Sequence, residues 1–497
     1  MKRATTLLVL SVGLLVALGL VTLYSAETYT RARPYTVSPA HIFEKQVVAL
    51  GLRLQTQTDP VAVFVAGKLS PIGQWAVNES VAPKPDVKAV RRMLAEDFNQ
   101  IVNGPFIYDA ALFSQVTLSL ETRALIERGP TDQEIAQANR LLLEDSFPTE
   151  LSRKHGPANF KMQLVWALLG LAVALGMTAL DYQRLKQLWW LIYPAALLLL
   201  LLVFVPPIGR RINGAHRWLN FGGATFQPSE LAKLVLLIVV AHYAEVHRRQ
   251  MGGVMRGLVL PGLLVTPLLF LVCAGPDFGT TILLVLVTAT LLVLAGSSVR
   301  WVAGGGLVFA VGIGVVIYHY KDRIDRIIVW LHLEEHKAGK GYQVWQGLVA
   351  LASGGWTGLG LGDGLQKLGF VPENQTDFIL SVIGEELGLV ATLGIVLAYG
   401  VLVASGLYIA THARDRFGYL LGAGISFLVG FQAVINIAVV TSLLPNKGLP
   451  LPFVSYGGSS LLMMLAAMGV LLSISRASMK PDSATGGISG DRELAAT

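Results

Sequence analysis

Asp377 stands in Thr376-Asp377-Phe378, where a polar loop gives way to an apolar run. A carboxylate at such a junction can cap the following helix by accepting a hydrogen bond from an early amide. It can also act as a general base, because partial burial raises its pKa and makes it a better proton acceptor. Glu373, close by in sequence, raises it further if ionised nearby. On the residues alone, capping is the simpler reading. The surrounding stretch, Lys340 to Gly388, sets Asp, Glu, Lys and Asn between membrane-length apolar runs, so chemistry there acts on molecules with a lipid tail.

Four further groupings carry polar side chains at the ends of apolar runs. Arg210, Arg211, His216 and Arg217 lie in RRINGAHRWLNFGG, beside Trp218, whose ring suits a membrane interface. They either cap helix C-termini or form an anion site, since arginine makes forked contacts to phosphate oxygens. In FQPSELAKL, Glu230 and Lys233 share one helical face. A charged pair there is a structural ion pair or the wall of a site. Asp277 in GPDFG is explained by a turn. In LPNKGLPLPFVSYGGSS, prolines and glycines force irregular backbone around Lys447, which either snorkels to headgroups or contacts phosphate.

The elements that position these groups are membrane helices. The chain has 497 residues, 53% of them hydrophobic and 14% charged, with mean hydropathy +0.58. Uncharged runs of about 20 residues match a hydrocarbon layer of roughly 30 Å, and they lack the alternation of a barrel. The reading is an all-α polytopic membrane protein with ten spans: 5–25, 162–180, 188–206, 229–246, 256–274, 278–296, 300–318, 387–409, 418–440 and 457–475. Met1–Ser25 reads as an uncleaved first span, its apolar run exceeding a signal core. Basic loops at Arg184/Lys186, His247–Arg249, Arg256, Arg300 and Arg414/Arg416 share a side with Lys2, Arg3, Arg476 and Lys480. That predicts cytoplasmic termini, with Asp377 outside. Gly341–Gly362, glycine-rich, reads as re-entrant or interfacial. The net charge of +7 fits basic loops, not nucleic-acid binding. The lone Cys273 excludes an intramolecular disulfide framework.

The expected domains are a first span over 1–26, a mostly helical outer domain over 27–161, a membrane core over 162–478 with an outer loop at 321–378, and a disordered tail over 479–497. In the outer domain, Pro130-Thr131-Asp132-Gln133-Glu134 predicts a helix start with a T-x-x-E capping box. Val87–Val102 also has helical spacing. The domain offers no catalytic constellation and reads as a docking or spacer unit.

GAHRWLNFGG…FQPSELAKL, GPDFGT, GKGYQ…GLGLGDGLQK…VPENQTDFILSVIGEELG and LPNKGLPLPFVSYGGSS, in this order, resemble the SEDS family (shape, elongation, division and sporulation). The resemblance runs from about Gln163 to Ser475, and Lys447 is similar to the family's division branch. It implies a ten-span inner-membrane peptidoglycan glycosyltransferase that polymerises lipid II and releases polyprenyl pyrophosphate. The family's essential aspartate matches Asp377, which the resemblance implies would serve as the general base. The implied substrate-binding residues are Arg210, Arg211, Arg217, Trp218, Glu230, Lys233, Lys367, Glu373, Lys447 and Ser459. No metal-ligand spacing demands a metal, although a divalent cation such as Mg or Mn could share the work on the pyrophosphate. A class B penicillin-binding protein is the implied partner, with other divisome proteins. Two departures stand out: Gln375 replaces the usual histidine before Thr376, and the outer domain is far longer than the family's first loop. Alternative readings are a lipid II flippase, with Glu230 and Lys233 lining its path, or a non-catalytic scaffold.

Overall fold

The computed structural model describes residues 1–28, 158–206, 208–212, 215–221, 224–319, 321–337, 339–364 and 375–479, and, in between, 63–64, 67–69, 74, 101, 103–109, 120–132 and 134–146. Lipid gives backbone amides no partners, so apolar runs close their own hydrogen bonds as helices. In chain order these are α1 (Lys2–Thr28), α2 (Leu120–Arg128), α3 (Ile135–Ser146), α4 (Ala158–Ala179), α5 (Trp189–Leu202), α6 (Pro228–Val246) and α7 (Leu260–Ala274). There follow α8 (Phe278–Leu294), α9 (Val299–His319), α10 (Lys321–Leu331), α11 (Tyr342–Ser353), α12 (Ile379–Thr411), α13 (Arg416–Val440) and α14 (Gly458–Met479). A helix falls in each of the ten expected spans. Six are long and apolar enough to cross a membrane: Lys2–Ala26, Asn159–Ala179, Met255–Ala274, Ile379–Thr411, Arg416–Val440 and Gly458–Met479.

One departure from an all-helical chain is a small antiparallel sheet between α5 and α6, with β1 (Gly209–Ile212), β2 (Ala215–Phe221) and β3 (Ala224–Phe226) in sequential order. Arg210 pairs with Trp218, and the register slips between Arg210 and Arg211. Pro228 then starts α6 at a first-turn position, where its missing amide costs nothing.

The span expected at 387–409 is longer and broken. Within α12, Gly388 has φ 76° and ψ −172°, so a short helix from Ile379 meets a long one ending at Thr411. The glycine-rich stretch after α11 plugs the break. Leu359 and Gly360 amides donate to the carbonyls of Glu385 and Glu386, at 2.9 Å each. The Leu389 and Val390 amides donate to the Gly355 and Trp356 carbonyls, at 2.9 and 3.2 Å. Each half-helix thereby finds partners for its exposed terminal groups. At 12 residues, α11 is about 18 Å long, too short to cross the hydrocarbon.

The contacts define two poles of the bundle. At one, Arg416 donates to Ala295 O at 2.5 Å, Arg476 to Ala179 O at 2.6 Å, and Lys186 pairs with Glu245. Thr5 and Ser475 hydroxyls bond there too, at 2.7 Å. Basic side chains thus satisfy helix C-termini at the pole that holds both ends of the described core. The sheet, Asp377 and the 441–457 loop lie at the other. Along its length α1 is packed into the core, with Leu8, Leu15 and Leu23 buried.

Between α1 and α4, the capping pattern forms as spaced: Glu134 Oε2 accepts from the Thr131 amide at 3.1 Å and the Thr131 hydroxyl at 2.8 Å. Those bonds hold the Glu134 carboxyl below its usual pKa. Asn139 on α3 braces the preceding turn, accepting from the Ile107 amide at 3.0 Å. The predicted helix over Val87–Val102 lies outside the described residues except at Ile101, as does the tail from residue 480.

Candidate active site at the pole of Asp377

Asp377 is half-buried in the turn before α12. Phe378 occupies the N-cap position of α12, one residue beyond Asp377. Phe378 is fully buried and anchors the turn.

A frame of amides and hydroxyls fixes this turn against the loop between α13 and α14. Asn436 Nδ2 on α13 donates to the Asp377 carbonyl at 2.9 Å and to the Leu449 carbonyl at 2.7 Å. Ser455 Oγ donates to Thr376 O at 2.5 Å and accepts from the Leu451 amide at 2.8 Å. The Tyr456 amide donates to Gln375 O at 2.8 Å. Gln163 on α4 brackets the same loop, donating to Ser455 O and accepting from the Gly457 amide, both at 3.2 Å. The carboxylate itself lies over Gly448, where a β-carbon would come within 2.8 Å of Asp377 Oδ2.

Beneath this frame is a buried charge relay. Lys233, 1% exposed, donates to Glu230 Oε1 at 2.8 Å and to Gln432 Oε1 at 2.9 Å. Gln432 Nε2 in turn donates to Pro450 O at 2.8 Å. The pair therefore props the loop that faces Asp377. Gln432 and Asn436 are four apart, on one face of α13.

Lys447 is largely buried on the same loop, and burial pushes its ammonium below the usual lysine range. Among the described residues it forms no ion pair.

The FtsW/RodA/SpoVE family model, described as "Cell cycle protein", matches residues 141–480. The chain belongs to the SEDS family. The probable peptidoglycan glycosyltransferase FtsW of Trichlorobacter lovleyi is 40% identical over 322 residues, 65% of this chain and 84% of that protein. The probable FtsW of Pseudomonas fluorescens is 36% identical, over 63% and 77%. Among solved structures, a chain from a peptidoglycan synthase complex that coordinates polymerization and crosslinking is 30% identical, with TM-score 0.55, over 65% and 91%.

The remaining candidates of this SEDS protein divide by location. Arg217 donates to the carbonyls of Gly275 and, at very short range, Pro276, so it caps the C-terminus of α7. Asp277 caps α8, accepting from the Thr280 amide at 3.2 Å. Ser459 is buried, accepting from the Gln227 amide at 3.1 Å, and ties β3 to the start of α14. Trp218 is half-buried and Arg210 exposed on the sheet. Lys367, Glu373 and the side chain of Arg211 lie outside the described residues. Gln375, in the histidine's place, accepts from Asn159 Nδ2 at 2.9 Å. Among the described residues no three His, Cys, Asp or Glu side chains gather to hold a metal.

Reading the sequence missed Gln163, Gln432, Asn436, Ser455 and Gly448. Two amides one turn apart inside an apolar run were the available signal, since polar groups in a membrane helix need a reason.

Proposed function

We propose that this SEDS protein polymerises lipid II into glycan strands, releasing polyprenyl pyrophosphate, and that Asp377 is its general base. The observation that carries the reading is the half-buried Asp377 carboxylate, its backbone fixed by Asn436, facing Gly448 on an irregular loop. A base held this rigidly keeps its oxygens where an incoming hydroxyl can meet them.

In the reaction, the 4-hydroxyl of the acceptor sugar gives its proton to Asp377 as its oxygen attacks the donor's anomeric carbon. The bond from that carbon to pyrophosphate breaks, and its electron pair leaves on the phosphate oxygen. Attack opposite the leaving group inverts the centre and gives a β-linkage. Negative charge grows on the pyrophosphate, so a nearby cation lowers the barrier. Lys447, on the loop over Asp377, is the proposed cation for that work. Arg217 has a structural task already, and Arg210, exposed on the sheet, is left for headgroups.

The reading includes ten spans, cytoplasmic termini, an outward-facing Asp377 pole and an inner-membrane location. The basic side chains gathered at the opposite pole support that orientation. A class B penicillin-binding protein is the proposed partner, for strands need crosslinking, and Lys447 favours division over elongation. Among the described residues no side chains build a cage for a metal; a divalent cation would come with the pyrophosphate and shield it. A flippase path through Glu230 and Lys233 has less support, because both are buried and paired with each other.

Purified protein given lipid II in detergent tests the proposal. Glycan polymer should form, and Asp377→Asn should lower the rate about 10²- to 10⁴-fold, the worth of a general base. Wild-type rates in a folded Asn variant sink the role of Asp377. No polymer from the wild type, with or without its partner, sinks the polymerase reading.

A further inference from the structure

A cavity of about 340 Å³ opens beside the Asp377 pole, between α10, α11 and the loop after α13. Arg326, Lys340, Gln343 and Asn446 supply its polar lining, Trp330 and Val344 part of its apolar floor. Its size suits a small headgroup.

The cavity and Asp377 share two walls. On α11, Gln343 faces the cavity, and Gly347, one turn on, packs against Phe378 beside Asp377. On the loop, Asn446 faces the cavity and Gly448 faces the Asp377 carboxylate. A helical turn is about 5.4 Å, so the cavity and the turn that carries Asp377 lie against neighbouring turns of α11. The walls are braced: Trp330 Nε1 donates to Ser442 O at 2.9 Å, and Asn446 Nδ2 to Gln343 Oε1 at 3.1 Å. Lys340 pairs with Asp325. Arg326 forms no ion pair among the described residues, so the mouth carries net positive charge. An unpaired guanidinium over amide donors is chemistry for a multiply charged phosphate.

We infer that this cavity binds the pyrophosphate of the polyprenyl-linked donor sugar, with Arg326 as its principal contact. The inference rests on the reading of Asp377 as the base, because that places the anomeric carbon between the two. It supplies a cation for the leaving group outside the arginine cluster of the sheet.

Direct binding of farnesyl pyrophosphate to the full-length protein in nanodiscs tests it without catalysis. Arg326→Gln should weaken binding about tenfold or more, the worth of a charge-assisted hydrogen bond, and Arg326→Lys should recover part of the loss. Binding of farnesol and of phosphatidylglycerol should not change. Because Arg326 is exposed, the variant should fold; Leu444→Trp, which fills the cavity from its rim, is a second variant and should also reduce pyrophosphate binding. Wild-type affinity in Arg326→Gln overturns the inference, and so does an equal loss for phosphatidylglycerol, which assigns the cavity to ordinary headgroups. A wild type that binds the probe through Arg326 yet makes no glycan refutes the polymerase reading alone. A polymerising wild type whose Arg326→Gln variant binds normally refutes the cavity alone.

Discussion

The α-carbon of Gly448 faces the Asp377 carboxylate so closely that a methyl group there would stand 2.8 Å from Oδ2. The backbone at Gly448 lies outside the left-handed region, so only this contact demands glycine. Gly448→Ala must therefore displace the carboxylate or the loop. Since misplacing a reacting group by about an ångström costs up to 10²-fold, turnover of lipid II should fall about 10- to 100-fold. The thermal midpoint should stay near wild type, because Gly448 is at the surface. Full activity in Gly448→Ala would show that the carboxylate works from elsewhere.

The Glu230–Lys233 pair is nearly inaccessible, at 3% and 1%. Removing one partner strands the other charge, at a cost of about 3–5 kcal/mol. Lys233→Met should thus lower the thermal midpoint sharply. Adding Glu230→Gln should restore much of it. Equal stability of the single and double variants, measured by melting in detergent, would mean the charges do not depend on each other.

Burial holds the Lys447 pKa below the ordinary 10.5. The unfolded chain therefore binds this proton more tightly than the folded one, a penalty present in full below the depressed folded pKa. Between that value and 10.5, stability should rise with pH as the penalty fades. Lys447→Met should raise the thermal midpoint at neutral pH and remove this rise, while lowering kcat for lipid II polymerisation. A lower midpoint in the variant would contradict the burial penalty.

Gly388 joins the two halves of α12 in a left-handed conformation, and a β-carbon there would be 2.3 Å from the Gly358 amide nitrogen. Gly388→Ala combines backbone strain with collision against main chain that cannot swing aside. Folded yield should drop severely, and detergent-purified protein should elute as aggregate. A monodisperse Ala variant with normal melting would rule out the tight junction.

Much of the fold could be read from hydropathy alone, because every apolar run of sufficient length had to become a helix. Asp377 could be placed at a helix start for the same reason. The break at Gly388 could not: Glu385-Glu386 marks where the apolar span begins, but not that a helix already started at Ile379 is interrupted there; the distant Gly355–Gly360 backbone supplies the partners at the break. Nor could Arg217 be told from its neighbours in the cationic patch, as the carbonyls it binds lie 58 and 59 residues on. The loop prolines declared irregular backbone, but not that Gln432 and Asn436 would hold it. Arg326 escaped notice because its neighbours in sequence, Ile324 to Ile328, suggest only an amphipathic surface helix.

The rings of Tyr24 and Phe160 touch, with centroids 5.2 Å apart, although more than a hundred residues separate them. The chain thus departs from the end of α1 and rejoins at the start of α4 through almost the same doorway. With its two ends held this close, the intervening stretch should be replaceable by a short hairpin that leaves α1 and α4 in register.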